Sequence, residues 1–126
     1  MMRFSRCSHM DGHRRLWTWQ QAQKLLQEVY GLTKTLPIEE KYVASSQIRR
    51  AAWSVTNNIA EGNAKRGRPE MRRFLDIAIG SLAEIDGMVA GLETLYQLDQ
   101  VRVKRIYELR SAVNHGIFML LRKRGR

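Results

Sequence analysis

Apolar residues recur every three or four positions through most of this chain, and this spacing constrains its fold more than any other feature. Four segments carry the pattern, and none shows the alternation of apolar and polar residues that marks a β-strand. The only two prolines, Pro37 and Pro69, fall between these segments, where proline ends or begins a helix. The pattern predicts an all-α protein.

Four amphipathic helices joined by short loops favour an antiparallel up-down-up-down four-helix bundle. The first helix is expected over about residues 14–33, and the second is expected to begin at Ile38 or Glu39. The third is expected to begin at Pro69, and the fourth after a cap at Asp99. The bundle domain is therefore predicted to cover residues 14–126. The polar segment 1–13 before it is predicted to be a flexible N-terminal tail.

Glycines mark two further features of the predicted helices. Gly62 is expected to end the second helix in the left-handed conformation, which glycine adopts at little cost. In the third helix, small residues lie beside a heptad-like apolar seam, and they are Gly80, Ala83, Gly87, Ala90 and Gly91. Because each glycine inside a helix costs about 1 kcal/mol relative to alanine, they predict that a neighbouring helix approaches closely.

The charge of the chain is strongly positive. Its 126 residues include 22 lysines and arginines against 12 aspartates and glutamates, a formal net charge of +10. Net charge bears on partners and not on fold. It predicts an acidic partner, with nucleic acid as the first choice and an anionic membrane surface as the weaker one.

The composition also bears on where the chain acts. No stretch of about 18 residues is free of charge, which argues against a membrane span. The N-terminus has no apolar run of signal-peptide length. The single cysteine, Cys7, fits a reducing compartment. We therefore expect a cytoplasmic protein.

A cluster of cations spans the loop before the third helix and the start of that helix. Its members are Lys65, Arg66, Arg68, Arg72 and Arg73, and we call them the basic cluster. The alternative is an ordinary solvated loop, but like charges repel, and phosphate contacts would offset that repulsion and release counterions.

The predicted topology adds further cations to the basic cluster. In an up-down-up-down bundle, the start of the first helix and the end of the fourth share a pole with the loop between the second and third. We therefore expect the basic cluster to converge with Arg14, Arg15 and the cations of the C-terminal run, which are Arg122, Lys123, Arg124 and Arg126. This pole is the predicted nucleic-acid-binding surface.

A polar stripe follows the second helix. Its residues recur at helical spacing, and they are Gln47, Arg50, Ser54, Asn57, Asn58 and Glu61. Serine and asparagine are poor formers of helix interiors, so their hydrogen bonds are expected to be used. A neighbouring helix, another subunit or a ligand could use them, and we favour a structural role over ligand contact.

Signals of catalysis are weak throughout the chain. It contains no glycine-rich phosphate loop, nucleophile elbow or zinc-protease motif. Cys7, His9 and His13 fall short of the four ligands of a structural zinc site. We therefore expect no catalytic residue, no metal and no cofactor. The three tryptophans, Trp17, Trp19 and Trp53, are interpreted as core or interface anchors in preference to base-stacking platforms. Trp53 is the exception for which base stacking stays open, because it lies close to Arg49 and Arg50.

Several motifs between residues 16 and 98 form a recognisable set. The most specific is the block that reads RRAA from Arg49 and NIAEG from Asn58. The set resembles a bacterial family named for proteins encoded in intervening sequences of 23S ribosomal RNA genes. The chain departs from that pattern at Asp86 and Gly87, where a more apolar, helix-favouring pair is expected.

The resemblance implies a four-helix bundle that assembles as a homopentamer. The chain is also similar, more distantly, to the accessory protein of diversity-generating retroelements, a basic pentameric barrel that binds a reverse transcriptase and nucleic acid. Two functions follow as expectations. The first is a non-enzymatic oligomer that binds RNA or DNA. The alternative is a protein adaptor, such as a reverse-transcriptase accessory subunit, in which Arg50 and Glu61 serve assembly.

Overall fold

A computed structural model describes residues 16–124, and it contains four α-helices and no β-strand within that range. The helices are α1 (Trp17–Lys34), α2 (Ala44–Ala64), α3 (Arg68–Leu95) and α4 (Gln100–Arg124). The prediction of an all-α protein is confirmed. Side chains are described through Arg122.

The inner faces of the four helices form one apolar core. The predicted apolar seam of α3 is buried, and its buried members are Met71, Leu75, Ala78, Leu82, Ile85, Val89 and Leu92. The largest fully buried side chains come from all four helices, and they include Leu25, Leu32, Ile48, Ile59, Leu75, Ile85, Ile106 and Ile117. Burial of each such side chain contributes about 1.5–3 kcal/mol to folding, so this core is the main source of stability.

Each helix packs on two others. α1 contacts α2 and α4, and α3 likewise contacts α2 and α4. Side-chain hydrogen bonds cross all four of these contacts, and the pairs are Tyr30–Trp53, Thr33–Arg49, Gln47–Glu84, Ser54–Ser81, Asp86–Arg110 and Glu28–Arg102. Two of these pairs join α1 to α2, and two join α2 to α3. In both cases the residue numbers rise along one helix while they fall along the other.

The second helix begins later than predicted. A short 3-10 turn covers Ile38–Glu40, and α2 starts only at Ala44. One carboxylate oxygen of Glu40 accepts a hydrogen bond from the Ala44 amide at 3.4 Å, and the other accepts one from the Tyr96 hydroxyl at 2.6 Å. Glu40 therefore caps α2 from outside the helix and joins it to the end of α3, as an N-cap side chain would.

Gly62 does not end α2 as predicted. It lies inside the helix, which continues to Ala64, and no described glycine has a positive φ. A Cβ added at Gly62 would lie 3.3 Å from both the Leu75 side chain and the Met71 carbonyl oxygen. The close approach of α3 leaves little room for a side chain at Gly62, whereas the backbone conformation there does not call for glycine.

The small residues of α3 have no close neighbour within the described chain. A Cβ added at Gly80, Gly87 or Gly91 would meet no heavy atom within 4 Å. The close approach that these residues predict is therefore not made by any of the four described helices. The tight contacts lie elsewhere, where Gly31 faces Arg102 and Gly116 faces Thr18 between α1 and α4.

Candidate functional site

The basic cluster lies where α2 gives way to α3. Lys65 is the first residue after α2, and Arg68 is the first residue of α3. Pro69 lies in the first turn of α3, where its fixed φ suits a helix. Glu70 lies in the same turn, where the positive end of the helix dipole stabilises its negative charge. Only three residues connect the helices, so the cations are held close together by the fold. Arg66 and Arg68 are exposed to solvent.

The ring of Phe74 orders two of these cations. Lys65 Nζ lies 5.1 Å from the centroid of the Phe74 ring, and Arg73 Cζ lies 4.5 Å from it. Each cation–π contact contributes about 0.5–1 kcal/mol at an exposed site. Sequence reasoning missed Phe74, although its position directly after two arginines was a signal.

The positive charge of the cluster is only partly neutralised. Arg73 pairs with Glu70 at 3.4 Å, and Arg72 lies 3.9 Å from a carboxylate oxygen of Asp76. All four side chains are more than half exposed, so each pair is worth at most about 1 kcal/mol. Within the described residues, the other three cations of the cluster have no carboxylate within 4.0 Å, and they are Lys65, Arg66 and Arg68.

The structure locates only part of the predicted basic pole. Arg122 is exposed and lies beside the start of α1, where it lines a groove with Leu16 and Trp17. Arg14 and Arg15 lie outside the described residues, as do the side chains of the two cations that follow Arg122. Convergence of these cations with the basic cluster stays a prediction.

Half of the predicted polar stripe is used by α3 and by α2 itself. The Gln47 amide donates to Glu84 at 3.1 Å, and the hydroxyls of Ser54 and Ser81 share a hydrogen bond of 2.7 Å. The Asn58 amide donates to the Ser54 carbonyl at 2.8 Å. A neighbouring helix, α3, therefore accounts for part of the hydrogen bonding of the stripe. Its contributing side chains, Ser81 and Glu84, were not identified from the sequence.

The other half of the stripe faces solvent. Arg50, Asn57 and Glu61 are exposed, and no hydrogen bond or ion pair joins them to another residue that the structure describes. Arg50 lines a polar groove of about 500 Å³ between α2 and α3, together with Ser81 and Glu84. These three side chains remain available to a partner.

The two arginines of the RRAA block have different roles. Arg49 lies over the Tyr30 ring at 4.4 Å and donates to the Thr33 hydroxyl at 2.7 Å, so it joins α2 to α1. The Trp53 indole donates to the Tyr30 hydroxyl at 2.9 Å. Arg50, as described above, points away from these contacts and lines the groove on the α3 side.

The three tryptophans differ in burial. Trp19 packs against the core, but Trp17 and Trp53 are 50% and 47% exposed. The interpretation of Trp17 and Trp53 as core anchors is therefore wrong, because a core side chain is closed off from solvent. An anchoring role between subunits stays a prediction.

Metal-ligating groups and membrane-spanning helices are both missing from the part of the chain that the structure describes. In the region 16–124, no group of three His, Cys, Asp or Glu side chains could hold a metal ion. Cys7, His9 and His13 lie outside that region. None of the described helices combines the length and the apolar character needed to cross a membrane.

Fold and charge together define a class, that of basic all-α proteins with four helices around one core. The model of a family described as 23S rRNA-intervening sequence protein matches residues 14–120. The match covers most of the chain, and the protein belongs to this family. No curated protein matches it. The family description names no enzymatic activity.

Proposed function

We propose that this chain is a non-enzymatic protein that binds RNA or DNA in the cytoplasm. The proposed contact residues are Lys65, Arg66, Arg68, Arg72, Arg73, Arg122, Lys123 and Arg124. The observation that carries the proposal is the basic cluster, in which exposed cations are crowded at one helix junction and are only weakly neutralised. Phosphates would relieve their mutual repulsion and release counterions.

We infer an up-down-up-down order for the four helices, which brings the cations together. Support comes from the cross-helix hydrogen bonds, whose residue numbers run in opposite directions along neighbouring helices. In this order the end of α4 lies at the same pole as the junction of α2 and α3. Arg122 then extends the basic cluster.

We further propose that the chain assembles as a homo-oligomer, for which the family resemblance implies a pentamer. The open space beside Gly80, Gly87 and Gly91 supports this, because an exposed face of small residues lets a second helix pack closely. Five copies of +10 would carry a formal charge of +50. Avidity would then strengthen individually weak phosphate contacts.

The basic cluster is tested by removing its charge. Alanine at Arg66, Arg68, Arg72 and Arg73 is expected to abolish binding of fluorescently labelled RNA and DNA, measured by anisotropy over a range of salt concentrations. For the wild type, the logarithm of the affinity should fall linearly with the logarithm of the salt concentration.

A control variant removes the same charge from other exposed sites. Alanine at Lys34, Lys41, Lys104 and Arg105 also removes four exposed cations, and these lie away from the junction of α2 and α3. This variant should keep most of the affinity. Equal loss in both variants would mean that net charge alone attracts the nucleic acid, and it would overturn the assignment to the cluster.

A protein adaptor, such as a reverse-transcriptase accessory subunit, is the second candidate. The exposed and unpartnered Arg50 beside the polar groove favours it, because such a groove suits a polar protein segment. The salt titration separates the two functions, since a chain that acts only as a protein adaptor would show no salt-dependent affinity for RNA or DNA.

A further inference from the structure

A groove lies between the start of α1 and the end of α4, and Arg122 is the one residue of its lining that the functions above use. Its volume is about 600 Å³, within the range of small-molecule sites. Thr18 faces Gly116 at its floor, where a Cβ on the glycine would collide with the threonine. The walls and mouth are formed by Leu16, Trp17, Met119, Leu120, His115 and Arg122.

The apolar walls of this groove are open to solvent. Trp17 is 50% exposed and Met119 is 47% exposed, whereas most large apolar residues of α1 and α4 are buried in the core. Exposed apolar surface of this kind marks binding sites in soluble proteins. An indole at the wall of an open groove offers a flat face for a planar group.

The charge around the groove selects an anionic occupant. Arg122 and His115 are exposed at its mouth, and no carboxylate lines it. Along the two helices, α1 has no acidic residue before Glu28, and α4 has none after Glu108. A ligand that joins a planar apolar group to a negative charge therefore complements the groove at both ends.

We propose that the groove takes one unstacked base of a single-stranded nucleic acid. The base stacks on the Trp17 indole, and the adjoining phosphate contacts Arg122. The inference rests on the proposed function and deepens it, because the basic cluster alone would accept single and double strands alike. A duplex keeps its bases stacked inside, whereas a single strand can place a base on an aromatic side chain.

The test compares two tryptophan variants of the full chain. Trp17→Ala removes the proposed stacking surface. Trp53→Ala is the matched control, because Trp53 is similarly exposed but lies on α2, where it contacts Tyr30. The probes are a single strand of about 15 nucleotides, as RNA and as DNA, and a blunt duplex of the same sequence. Sedimentation of each variant reports its oligomeric state.

Trp17→Ala is expected to lower the affinity for the single strands about tenfold and to leave duplex affinity unchanged. Trp53→Ala should change neither. The inference is overturned if Trp17→Ala has no effect, if it weakens duplex binding equally, or if it dissociates an oligomer, since the groove would then hold a second copy. Wild type that binds no probe at low salt contradicts the proposed function itself, and with it this inference.

Discussion

Asp86 shows how one residue in an unexpected place can be explained by its partner. An apolar pair was expected at Asp86 and Gly87, but the Asp86 carboxylate accepts a hydrogen bond from Arg110 Nε at 2.5 Å across the contact of α3 with α4. The side chains are only 24% and 34% exposed, and the second carboxylate oxygen is buried without a partner. The arginine therefore compensates for an otherwise costly charge.

Removing the arginine should expose this dependence. Arg110→Ala is expected to lower the free energy of unfolding by about 2 kcal/mol, because Asp86 keeps a partly buried charge without a partner. Arg72→Ala is the control, since it breaks a pair with Asp76 that is more than half exposed, and should cost less than about 0.5 kcal/mol. Urea denaturation at a fixed protein concentration measures both. Equal costs would show that the Asp86 pair is no stronger than a surface pair.

At this scale, sequence patterns identify the polar side chains but not their partners. Helical spacing placed Gln47 and Ser54 on one face of α2. It could not identify Ser81 or Glu84, because the residue that faces a given position depends on how α3 crosses α2. The ordering of two cations by Phe74 also depends on the turn between the helices. The apolar and polar spacing of a single helix contains information on neither the crossing of two helices nor the turn between them.

The boundary before α2 shows the same limit for whole elements. Pro37 followed by two glutamates is typical of a helix start, yet the helix begins at Ala44. The tertiary bond between Glu40 and Tyr96 accounts for the difference. Helix interiors were predicted well because burial repeats every turn, whereas the ends depend on single contacts.

The bond between Tyr96 and Glu40 makes stability depend on pH. Its hydrogen bond, together with the negative charge of Glu40 and Glu39, raises the pKa of Tyr96 above the usual 10.0. A folded-state pKa above the unfolded value means that the neutral phenol stabilises the fold. This contribution is present below about pH 10 and is lost as the pH rises through the folded-state pKa.

Tyr96→Phe should remove that part of the pH dependence. We expect the wild type to lose stability more steeply than Tyr96→Phe as the pH rises above about 10, measured by urea denaturation. Tyr42→Phe is the control, because Tyr42 is 83% exposed, and it should follow the wild type. Identical pH profiles for Tyr96→Phe and the wild type would contradict the argument.

At the scale of the whole molecule, the exposed face of α3 is expected to lie between subunits. Gly87→Lys places a long charged side chain where this chain offers open space, so the monomer should still fold while the oligomer dissociates. Sedimentation velocity and circular dichroism measure the two properties. Gln27→Lys, at an exposed site of α1, should leave the oligomer intact. An unchanged sedimentation coefficient for Gly87→Lys would exclude this face as the interface.

The contacts of Phe74 have an entropic consequence. A free lysine or arginine side chain loses about 1.5–2 kcal/mol of rotamer freedom when it is fixed. Lys65 and Arg73 are already restricted by the aromatic ring in the chain alone. Part of this loss of rotamer freedom therefore occurs when the chain folds. That part no longer lowers the affinity of the side chains for an anion.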